Sequence, residues 1–130
     1  MTWCFADEAR LDCDVLQDAL ANGTAAVVPA HWPVEVANTL LVGERRARIR
    51  PAARAQFIAM LQGFDIATDP ETRGHAFAES LTLARQHQLS LYAAVYLELA
   101  IRRNMPLATL DGALRQAAQA SSISLLPEKL

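Results

Sequence analysis

Apolar positions recur along the chain in two rhythms, one helical and one of short unbroken runs, and the two alternate. Over residues 7–22, Leu11, Val15, Leu16, Ala19 and Leu20 fall at helical spacing, and Asn22-Gly23 supplies a left-handed stop. Residues 25–29 (AAVVP) form an apolar run of the buried-strand type. Pro33 opens a helix where its missing N–H costs nothing, with Val34, Ala37, Leu40 and Leu41 as apolar stripe to about Arg48. Pro51 starts another helix, with Phe57, Ile58 and Leu61 on its core face and Gly63 as its end. Residues 64–68 read as a strand, and Asp69-Pro70-Glu71 caps one helix carrying Phe77, Leu81 and Ala84 to about Gln88. A nearly all-apolar helix over residues 90–103 turns at residues 104–106 into a strand, 107–110, that runs into Asp111. A helix over 112–121 and a strand over 123–126 close the pattern.

Helices alternating with brief apolar strands predict an α/β fold, a parallel sheet with helices on both faces. The absence of repeats or linkers makes residues 1–130 a single domain. Hydrophobic content of 52% with 20% charged residues fits a folded domain and excludes a disordered one. No run of about 18 apolar residues exists, so no membrane helix is expected. The N-terminus has no secretory signal pattern, and two cysteines are too few for a disulfide framework, which points to the cytoplasm. A net charge of −2 gives no global pull toward nucleic acid, so any such contact must be local.

Two stretches carry candidate chemistry: WPVEVAN at residues 32–38 and SLYAAVYLELAIRRNMPLATLDGA at residues 90–113. Together they resemble the PIN-domain toxins of the VapC type, which are metal-dependent endoribonucleases of toxin–antitoxin pairs. The resemblance implies a PIN-like three-layer α/β/α fold, Mg²⁺ (or Mn²⁺) as cofactor, an RNA substrate, a cognate antitoxin and a homodimer. Glu35 and Asp111 match two of the family's metal-ligating acids. Each has a plainer role beside that one: a first-turn Glu favours the positive end of a helix dipole, and Asp is among the best N-caps. Asn38, one turn beyond Glu35, and Thr109, on the same side of the strand as Asp111, are supporting candidates.

Two departures from the family pattern stand out. Ala93 occupies the position of an acid, in a helix whose Ser90, Tyr92 and Tyr96 keep the pattern. The family's first strand, central in its sheet and closed by an acid, is expected to be missing, with residues 2–8 resembling the helix that follows it. Such a strand buries about four apolar side chains at about 1.5–3 kcal/mol each. That is of the order of a whole domain's stability. The expected outcome is an N-terminally truncated, contracted four-strand sheet, in which association becomes more necessary. With two acids absent, an inactive or very weak nuclease is expected; the alternative is a non-catalytic domain that binds an antitoxin or its own copy. Asp7 is the one remaining acid near enough in sequence to reach the site. Arg45, Arg46 and Arg48, with Arg50 and Arg54, make a basic turn that either grips RNA or is simply solvated. Arg102 and Arg103 read as complements of a helix dipole, and His31, His75 and His87 show no partner at metal-ligand spacing.

Overall fold

Five parallel strands order themselves β3-β2-β1-β4-β5 in the computed structural model, which describes residues 2–5 as backbone and residues 20–126 in full. The strands are β1 (Thr2–Phe5), β2 (Ala25–Val28), β3 (Ile66–Thr68), β4 (Leu107–Ala108) and β5 (Leu125–Leu126). The helices are α1 (Trp32–Arg45), α2 (Pro51–Gln62), α3 (Thr72–Ala76), α4 (Glu79–His87), α5 (Leu91–Arg103) and α6 (Gly112–Ala120). The mixed α/β class and the parallel sheet follow the hydrophobic pattern. Leu20 and Ala21 are helical and Gly23 takes φ 89°, the left-handed stop that Asn22-Gly23 signals. The rest of the helix expected over residues 7–22, with Asp7, lies outside the described residues.

The expectation of a missing central strand is overturned. Thr2, Trp3 and Cys4 pair with Ala25, Ala26 and Val27, while Cys4 and Phe5 pair with Leu107 and Ala108. Residues 2–5 are therefore strand rather than helix, and the sheet is not contracted. Two forces favour this. Without β1, the facing edges of β2 and β4 would leave buried N–H and C=O groups unpaired. Thr, Trp and Phe are also residue types enriched in strands. The reason for association drawn from a lost strand disappears with it.

Helix α5 is the spine of the core. Residues 94–100 are all buried, and the helix packs against α4, β1 and α6. Ser90 caps it, its Oγ accepting from the Ala93 N–H at 3.1 Å, and Asn104 ends it at φ 50°. Ala at residue 93 leaves the helix intact because Ala is the best helix former.

Three helices differ from their predicted faces. In α1 the buried stripe is Trp32, Val36 and Leu40, an i, i+4, i+8 row, while Val34 is 72% exposed. No residue of α2 is fully buried; Ile58 and Leu61 instead line a groove of about 350 Å³ with Val36, Leu40 and Phe64. The single helix expected after Asp69 is two, α3 and α4, broken at Phe77 and Ala78. The break turns Phe77 outward to 91% exposure and Leu81 to 45%, leaving Ser80 and Ala84 as the buried face of α4.

Candidate functional site

The carboxyl ends of the strands carry the candidate acids. Glu35 lies in the first turn of α1, just after β2, and Asp111 follows β4 as the N-cap of α6. Because β1 stands between β2 and β4, the two acids issue from strands two spacings apart, roughly 9–10 Å.

Glu35 is bound inward. Its Oε1 accepts the Tyr96 hydroxyl at 2.7 Å, and His31 Nε2 approaches the same oxygen at 2.6 Å. The His31 ring lies 5.2 Å from the Tyr96 ring in edge-on geometry and 5.9 Å from that of Tyr92. Tyr96 is buried and one helical turn beyond Ala93, so residue 93 and the Glu35 partner lie on neighbouring positions of one face of α5. Ala93 thus lies one turn from the hydroxyl that holds Glu35.

Asp111 serves as a cap. Its Oδ1 accepts from the Ala113 N–H at 3.0 Å, and its own N–H donates to Thr109 Oγ1 at 3.1 Å. Thr109 is fully buried, so its hydroxyl orients the backbone at residue 111. The buried Arg115 donates to the Thr109 carbonyl at 2.8 Å and fixes the same turn. Asn38 is exposed on α1. Arg45, Arg46 and Arg48 are exposed around the turn where Ala47 takes φ 56°, and Arg54 pairs with Glu44 at 2.6 Å.

A second carboxylate cluster, unforeseen in the sequence, lies on the opposite face of α5. Arg102 donates to Asp69 Oδ2 at 2.6 Å, to Glu98 Oε2 at 2.8 Å and to Glu71 Oε2 at 3.1 Å; Arg103 donates to Asp69 Oδ1 at 3.1 Å. Asp69 is 1% exposed and Glu98 4%. Burial pushes the Asp69 carboxyl up, but hydrogen bonds from Arg102, Thr72 and the Glu71 N–H outweigh it and bring its pKa to about 2. Asp69 is therefore a buried ion as well as an acceptor at the start of α3, where Glu71 is the N-cap, and Arg102 and Arg103 do more than complement a dipole. Two of the three histidines have acidic partners: His31–Glu35 and His75–Glu79 are both i,i+4 pairs. That spacing was legible in the sequence.

A multi-carboxylate Mg²⁺ cage does not fit what is present. Among the described residues, no three His, Cys, Asp or Glu side chains gather to hold a metal. Glu35 already serves Tyr96 and His31, and Asp111 serves the α6 terminus. Asp7, two residues past β1, lies outside the described residues. Among those same residues, no helix is long and apolar enough to cross a membrane.

No protein-family model and no curated protein matches the chain. It is similar in structure to PAE2754 from Pyrobaculum aerophilum, with a TM-score of 0.68 at 22% identity. The match covers 90% of this chain and 87% of that one. At that identity the likeness establishes a shared fold.

Proposed function

We propose that this chain is a VapC-type PIN-like domain of the Mg²⁺-dependent endoribonuclease family whose own RNA hydrolysis is absent or very weak. The observation that carries this reading is the Tyr96–Glu35 hydrogen bond beside Ala93. It supports an acid at residue 93 as the missing neighbour of Glu35. A metal ion in such a site polarises the phosphate and lowers the pKa of its bound water. Toward that end this chain offers Glu35, turned to Tyr96 and His31, and Asp111, its backbone fixed by Thr109 and its carboxylate shared with a helix terminus. Cleavage of a labelled RNA in Mg²⁺ or Mn²⁺ is expected to match the Glu35→Gln variant. Strong cleavage that EDTA and Glu35→Gln both abolish contradicts the reading.

The second reading is non-catalytic: a cytoplasmic domain that binds a cognate antitoxin or pairs with its own copy. The apolar groove between α1 and α2 supports it, because Ile58 is 38% exposed there rather than covered. The exposed Arg45, Arg46 and Arg48 are available to an RNA backbone at one end of the same helix pair. Light scattering is expected to give a homodimer at micromolar concentration that Ile58→Glu splits; a monomer without the substitution counts against it.

A further inference from the structure

Both tyrosines of the chain stand against His31, but only one of them is buried. Tyr96 is 2% exposed and spends its hydroxyl on Glu35. Tyr92, one turn earlier on α5, is 67% exposed, its ring centroid 5.9 Å from that of His31 and its plane tilted by 47°. Helix α5 feeds through the Asn104 turn into the start of β4, so its first turn, with Tyr92, stands at the carboxyl edge of the sheet. The bond from Tyr96 to Glu35 ties it to that edge. A large ring two-thirds in water forgoes the burial that normally places a tyrosine. Here it does so in contact with the histidine that sits against Glu35.

The ring is firmly mounted. Tyr92 lies in the first turn of a helix that Ser90 caps and whose later turns are the buried spine of the core. His31, against which it rests, is held in turn by Tyr96, 5.2 Å away in edge-on geometry. A ring carried on a rigid element loses little freedom when a flat partner stacks on it. Tyr92 lines neither the apolar groove between α1 and α2 nor the cavity of about 590 Å³ beside Glu98 and Arg102. In that turn of α5 the exposed large apolar side chains are Leu91 and Tyr92 alone, with the polar Ser90 before them. Two side chains fall short of the contiguous patch that a protein partner covers.

A solvated aromatic face takes another flat π-face, and in RNA the base supplies one whatever its identity. Only an unpaired base offers that face freely, because in a duplex it is already stacked on its neighbours. The electrostatics agree. Ala93, next to Tyr92, carries no charge, and Glu35 is engaged by Tyr96 and His31. A phosphate chain therefore meets less repulsion here than an acid at residue 93 would give. The first turn of α5 also presents the positive end of its helix dipole.

We propose that Tyr92, propped by His31, is a stacking platform for an unpaired base of single-stranded RNA, so that the chain holds RNA at the edge where Glu35 lies without needing to cut it. This rests on the RNA reading given above and deepens it, yet its test reads binding in EDTA, where no metal-dependent cleavage occurs, so the two fail separately. Fluorescence anisotropy follows a dye-labelled oligoadenylate of about ten nucleotides as the full chain is added. Tyr92→Ala and Tyr92→Leu are expected to weaken binding by about tenfold. Tyr92→Phe, which keeps the ring, leaves it unchanged. So does Phe77→Ala, which removes the 91% exposed ring between α3 and α4. The same oligonucleotide annealed to its complement binds more weakly than alone. Binding that is equal in the unchanged chain, Tyr92→Ala and Tyr92→Leu overturns the proposal, as does no binding of the single strand at all. A loss in Tyr92→Phe as large as in Tyr92→Ala assigns the effect to the hydroxyl and overturns the stacking. A Tyr92→Ala variant whose oligomeric state changes while its RNA binding does not gives the ring to a protein contact, and overturns it too.

Discussion

Helix α5 meets carboxylates on two opposite faces, and treats them differently. On one face Arg102 bridges Asp69 and Glu98, both nearly inaccessible to solvent, with distances of 2.6 and 2.8 Å. On the other face, about 200° round the helix, Tyr96 holds the half-buried Glu35 beside an alanine. Gathered carboxylates repel and resist burial unless a cation accompanies them. At Asp69 and Glu98 the chain carries that cation itself, so the cluster is part of the folded core. At Glu35 no arginine or lysine does so among the described residues, and residue 93 beside it is an uncharged alanine. The first cluster belongs to stability. The second stays within reach of water.

Removing one partner from each face should break the symmetry most visibly. Arg102→Met strands the buried Glu98 and leaves Asp69 with Arg103 alone, and is expected to destabilise the fold by about 3–5 kcal/mol. Tyr96→Phe removes one hydroxyl from a carboxylate that water can reach, and should cost about 1 kcal/mol. Urea unfolding monitored by circular dichroism measures both. Equal costs would mean that the Arg102 network is not the stabilising one.

Acid sharpens the same contrast. The folded pKa of Asp69 lies below its ordinary value of 3.8, at about 2. Its contribution is therefore complete above the ordinary value and is lost as pH falls through the folded one. The shift corresponds to a contribution on the order of 2 kcal/mol. Unfolding free energy should drop between about pH 4 and pH 2, and Asp69→Asn should flatten that part of the curve. A curve of unchanged steepness in Asp69→Asn argues against the assignment.

The two regions were also unequally legible in the sequence. The register of α5 was readable from Ser90, Tyr92, Tyr96 and LELA, and the Asn104 turn formed as expected, whereas the capping role of Ser90 was not foreseen. Glu35 and Asp111 sit at strand ends for the same local reason. The Arg102 network was not readable, since Arg102 and Asp69 are 33 residues apart and Asp-Pro normally signals a cap. The central strand failed for another reason. Four residues, TWCF, are too short to show a period, and an acid-rich helical pattern follows at once. What makes them a strand is two neighbours, β2 and β4, needing hydrogen-bond partners. Likewise Phe77 and Leu81 had the right spacing for a core face, but the break at Ala78 turns them outward.

The central proposal is that an acid at residue 93 would complete a cation site with Glu35. Mn²⁺ binding by Ala93→Asp, measured by calorimetry against the unchanged chain, tests it most directly. The account predicts an affinity gain of about tenfold or more, lost again when Glu35→Gln is added, with partial rather than full recovery of RNA cleavage. Mn²⁺ affinity that Ala93→Asp leaves unchanged, in a variant that folds normally, would contradict it.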